Sequence, residues 1–164
     1  PGAGGGWRDD EGVGFCFQTE QGRIVRAHWG RGAGALVAVL LPLTLIWFAL
    51  APYSAHDLAT TPFFAPMTIL AYVYVIFYAF AVMLIVVSFI NLSAKRCRTR
   101  GLAPPLGLAS LAPLLALLAG AAHFLQPRVA EVMSRWYVWG VDALFVVAAL
   151  WTIYELGWRE ESRS

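Results

Sequence analysis

Apolar residues in this chain fall into four long blocks separated by short polar stretches, a pattern that predicts four membrane-crossing helices. The clearest block, Met67 to Leu92, reads MTILAYVYVIFYAFAVMLIVVSFINL, twenty-six residues without a formal charge. At a rise of about 1.5 Å per residue, such a helix outruns a hydrocarbon core of about 30 Å. The expected spans are 32–52, 67–92, 105–125 and 136–156, making an all-α membrane protein, a bundle of four transmembrane helices. Residues 1–22, with PGAGGGW and the acidic Asp9-Asp10-Glu11, read as a flexible cytoplasmic tail. Residues 23–158 form the membrane domain, opening with an interfacial segment, and 159–164 are a short C-terminal tail. The stretch starts at Pro1 without an initiator Met, and it shows no secretory-signal pattern.

Composition agrees with this division. Hydrophobic residues make up 59% of the chain and charged residues only 13%, against roughly a quarter charged in soluble domains. Basic residues cluster beside the apolar blocks rather than on a separate basic face, which argues against nucleic-acid partners. Their distribution sets the sidedness. Arg8, Arg23, Arg26 and Arg31 precede the first span; Lys95, Arg96, Arg98 and Arg100 follow the second; Arg159 and Arg163 follow the fourth. The two remaining loops hold only Arg128 and Arg135. Positive loops stay inside, so both termini are expected in the cytoplasm. There Arg23, Arg26, Lys95, Arg96, Arg98 and Arg100 are expected at the surface, binding anionic lipid headgroups at about 1 kcal/mol each.

Small residues recur along two spans. Gly30, Gly34 and Ala38 form one stripe, and Ala112, Ala116 and Gly120 another; both allow a second helix to approach closely. Pro42 and Pro113 each remove a backbone hydrogen bond inside a span. Tyr72, Tyr74, Phe77, Tyr78 and Phe80 crowd the outer half of the second span, as an interfacial belt or a helix–helix contact. Trp136, Tyr137 and Trp139 mark the outer boundary of the fourth span, and Trp151, Tyr154 and Trp158 its inner one.

Few side chains offer chemistry. Asp142 lies about one and a half turns into the fourth span, where a carboxylate is costly, and His123 lies at similar depth in the preceding antiparallel helix. The two are expected to face each other inside the bundle, on its outer side, as a structural clasp in preference to a proton relay or ligand contact; Asp142 reaching to Arg135 or to outside water is the other structural reading. His28 falls on the inner side and His56 in an outer loop, so no two histidines make an axial pair; no cofactor is predicted, and a single haem or pigment ligand at His123 is the alternative. No metal-ligand spacing is present. Of the two cysteines, Cys16 and Cys97, both are expected inside, where thiols stay reduced. Flanking by Arg96 and Arg98 would make Cys97 more reactive, although an ordinary loop cysteine is the plainer reading.

Two stretches carry a family resemblance. Gly22-Arg23-Ile24-Val25-Arg26-Ala27-His28-Trp29 resembles the "Gly-Arg-Ile-x-Arg-x-x-aromatic" start of the first helix in the bacterial "domain of unknown function 805" family. Ala94 to Gly101, AKRCRTRG, is similar to its middle loop, with Arg98 where the family has His and Thr99 where it has Asp. The resemblance covers roughly residues 20–125 and implies a multi-pass bacterial inner-membrane protein of unassigned activity. The functional expectation is a non-enzymatic accessory or structural subunit of a larger membrane complex, an energy-converting one among the candidates, with membrane lipids and other membrane subunits as partners. The competing class is a small self-associating transporter or channel using Asp142 and His123.

Overall fold

The computed structural model describes residues 24, 26–54 and 64–159. Among them are four long helices and no strand: α1 (Arg26–Ser54), α2 (Pro66–Thr99), α3 (Pro105–Leu125) and α4 (Arg135–Thr152). A 3₁₀ turn, Gln126–Arg128, follows α3, and a wide π turn, Ile153–Trp158, continues α4. All four are long and apolar enough to cross a membrane, the make-up of a multi-pass membrane protein. A helix built to sit in water hides its apolar stripe. Here Val37, Leu41, Leu45 and Phe48 on one side of α1 are half or more exposed, a surface suited to lipid.

The first two helices differ from the predicted spans chiefly at the ends that carry the basic residues. α1 begins at Arg26, so part of the segment expected to lie in the interface is its first turn. α2 runs on to Thr99 and takes in most of the basic cluster that was expected in a loop. Lys and Arg are good helix formers, and cations are favourable in a helix's last turn. The helix stops where Gly101 turns left-handed, at φ +69°. The Leu102 amide then reaches the Cys97 carbonyl at 2.9 Å and the Gly101 amide reaches that of Arg98 at 3.1 Å, the paired bonds of a Schellman stop. α3 starts with proline at its first position, where no amide is needed. The Ser134 hydroxyl caps α4, accepting from the Trp136 amide at 3.5 Å.

The helices divide between two compact units. In the unit spanning 33–87, α1 and α2 run antiparallel and are joined by tyrosines. The Tyr74 hydroxyl donates to the Leu43 carbonyl at 2.7 Å, Tyr78 meets the Thr44 hydroxyl at 3.1 Å, and Tyr72 donates to the Ser54 carbonyl at 3.2 Å. Trp47 stacks on Tyr78 with ring centres 6.2 Å apart. These tyrosines therefore serve the helix–helix contact, one of the two readings open from sequence.

In the other unit, α3 and α4 form an antiparallel hairpin. Leu108, Leu111 and Leu115 face Leu144, Val147 and Trp151 across an apolar groove. Its seam is built from small residues, Ala109, Ala112, Ala119 and Ala122 of α3 with Val138, Ala148 and Thr152 of α4. On α3 these positions recur at intervals of three and seven residues, which keeps them on one face of the helix.

Candidate functional site

Polar side chains gather at two ends of the α3/α4 unit. Toward the α3–α4 connection, His123 Nε2 lies 2.9 Å from Asp142 Oδ2 and 3.2 Å from Oδ1. The structure thus brings together the two residues singled out from sequence, and the carboxylate is taken by His123 rather than by Arg135. Their setting is different from the expectation. The side chains are 62% and 36% exposed, so within the α3/α4 unit the pair ties the two helices together along an open edge. His123 is in the last turn of α3. Among the described residues no three metal-ligating side chains converge.

The basic cluster carries the larger correction. Lys95 and Arg96 are fully buried, and Arg98 and Arg100 are partly so; the first two do not lie at the surface where lipid headgroups would reach them. The reason is the end of α4. A helix leaves its last four carbonyls without intrahelical partners, and here arginines from α1 and α2 supply donors. Arg96 Nε donates to the Leu156 carbonyl at 3.2 Å. Arg100 Nη1 donates to the carbonyls of Glu155 and Arg159, at 3.2 and 2.8 Å. Arg26, exposed at the start of α1, reaches the Trp158 carbonyl at 3.3 Å. The positive charges also face the negative end of the α4 dipole. Arg23 lies outside the described residues, as do His56, Cys16 and the residue 1–22 tail.

One carboxylate completes this arrangement. Glu155 Oε1 accepts from Arg100 Nη2 at 3.0 Å, with both side chains more than nine-tenths buried, and from Arg159 at 3.3 Å. Sequence reasoning passed over Glu155, although the rule that picked out Asp142 applies to it equally: a carboxylate in an apolar span needs a partner. Arg159, four residues on, was the available signal.

The seam around Trp29 seals the same end. Its indole Nε1 donates to the Ser93 hydroxyl at 3.2 Å, and its ring meets Phe89 edge-on at 6.3 Å. A Cβ added at Gly157 would lie 3.0 Å from the Trp29 ring, so glycine is what admits the indole. Thr99, standing where the resembling family has Asp, accepts from the Ile24 amide at 3.0 Å. Its own hydroxyl lies 3.1 Å from the Ile24 carbonyl and 3.0 Å from that of Lys95.

Cys97 is fully buried in this end. Flanking arginines do not make it reactive, because a reagent has no access. In a Cys16→Ser background, Cys97 is therefore expected to resist N-ethylmaleimide in mild detergent and to react fully after denaturation. Rapid labelling of the folded protein would place the thiol at the surface.

The small-residue stripes divide. Ala112 is in the α3 seam and Ala116 half-buried beside it, while Gly120 faces outward and Ala119 takes its expected place. Gly30, Gly34 and Ala38 are exposed, and a Cβ built at Gly30, Gly34 or Gly120 meets nothing within 4 Å. Among the described residues, no side chain of each glycine's own unit comes within reach of a Cβ at those positions. No family model, curated protein or solved structure matches the chain.

Proposed function

We propose that the protein is a structural or accessory subunit of a larger assembly in a bacterial inner membrane. Its four helices form a bundle there, with both termini in the cytoplasm. The observation that carries this reading is the contrast between the chain's polar interior and its small-residue faces. The arginines and Glu155 of the inner end are engaged with one another and with backbone carbonyls. The faces at Gly34 and Gly120, suited to close helix contact, are open. The groove between α3 and α4 is lined by apolar side chains, a surface for lipid or another helix rather than for a polar substrate.

Sidedness rests on the ten-to-two excess of Lys and Arg in the segments assigned to the inside. Burial of Lys95 and Arg96 does not remove that argument, since topology is set as the segments insert. The resemblance to the "domain of unknown function 805" family supports the same location. Transport past His123 and Asp142 has less behind it, because the pair ties neighbouring helices together on an open edge.

The test is purification from native membranes in mild detergent, comparing the parent with Gly34→Leu and Gly120→Leu. A Cβ at either position meets nothing within 4 Å, so helix propensity predicts monomer stability unchanged or higher by up to about 1 kcal/mol. Loss of co-purifying subunits with an intact monomer is expected for at least one substitution. A parent that migrates alone would count against the subunit reading.

A further inference from the structure

Past Thr152, α4 leaves the α register. Ile153 to Trp158 form a π turn, with the Arg159 amide bonded to the Tyr154 carbonyl five residues back at 3.0 Å. The π register is rare in proteins and usually confined to a single turn, where something outside the helix makes it worthwhile. Here the outside agents are on the page. Arg100 places Nη1 between the carbonyls of Glu155 and Arg159 and Nη2 on the Glu155 carboxylate, while Arg96 holds the Leu156 carbonyl. Across the turn, Trp29 lies against the face of Gly157.

We infer that Arg100 and Glu155 act as a catch that holds the end of α4 in the π register and so sets the direction in which the chain leaves the helix. Two features fit together only in this register. A turn of normal pitch would advance each residue further around the axis, so that Leu156 would arrive where Gly157 now stands. The Trp29 ring leaves no room for a side chain at that place, since even a Cβ would be 3.0 Å away. Opening the catch therefore displaces Trp29 as well, coupling the exit of α4 to the start of α1. Glu155 is also held by Arg159, from beyond the turn, so the pair closes the loop on the turn from both sides.

Pulsed electron–electron resonance tests this in detergent. Nitroxides are attached at Leu111→Cys on α3 and Trp158→Cys, both exposed in the folded protein, in a Cys16→Ser, Cys97→Ala background. Rotation by one residue, roughly 100°, carries a side chain at a radius of roughly 5 Å through about 8 Å. Arg100→Gln is expected to move the 111–158 distance by that order, or to split it into two populations. Should that variant fail to fold, Arg100→Lys decides, because it keeps a charge beside Glu155 but offers one nitrogen in place of a fork. An unchanged single distance in either variant, with helical content intact by circular dichroism, overturns the catch.

Discussion

Replacing Arg100 with Ala is expected to destabilise the protein by about 3–5 kcal/mol. The change strips Glu155 of its closest charge partner and takes donors from two carbonyls at the end of α4. Both side chains of the pair are more than nine-tenths buried, so water cannot step in. Desolvation is what makes the single substitution severe: a buried carboxylate left without compensation costs more than the pair itself contributes. Arg159 also reaches Glu155, but its side chain is 60% exposed and its contact longer, at 3.3 Å, so it offsets only part of the loss. At about 2–4 °C per kcal/mol for a chain of this size, the thermal midpoint in detergent is expected to fall by on the order of 10 °C. Arg26→Ala, which removes one 3.3 Å bond from an exposed side chain, is expected to fall far less.

Trp29→Ala is expected to cost a similar amount, about 3–5 kcal/mol, by opening a cavity between the start of α1, the end of α2 and the π turn. Only 6% of the residue is exposed, and its ring fills the space that Gly157 leaves open. Trp29→Phe keeps most of the ring but loses the bond to Ser93, and about 1 kcal/mol is expected for that. Chemical denaturation of the three proteins in one detergent checks both values. Equal losses for Ala and Phe would mean that the hydrogen bond, not the packing, holds this end.

Three of the four helices were legible because twenty uncharged residues in a row leave few alternatives, and α3 agrees with its expected span at both ends. Asp142 and His123 were legible for a related reason: each is a rare polar group in an apolar span, and consecutive antiparallel helices put them at one level. The end of the fold around the basic cluster was not legible. Lys95 to Arg100 looks the same in sequence whether its side chains turn toward headgroups or toward the end of α4, because that choice depends on a helix sixty residues away. Glu155 was hidden by the aromatic residues around it, which read as an interfacial belt. Gly157 offered no signal, since its value lies in the Trp29 ring beside it. Gly120 was misplaced by one position on α3, where Ala119 and Ala122 alternate into the seam instead.

The central claim is that the basic cluster points into the fold and closes the end of α4. A double-mutant cycle on Arg100→Ala and Glu155→Gln, read as unfolding free energy in a single detergent, tests it most directly. The account predicts a coupling of more than about 1 kcal/mol, with the double variant more stable than the sum of the single losses. Additive losses, each within about 0.5 kcal/mol of zero as for exposed charges, would contradict it and return these arginines to the membrane surface.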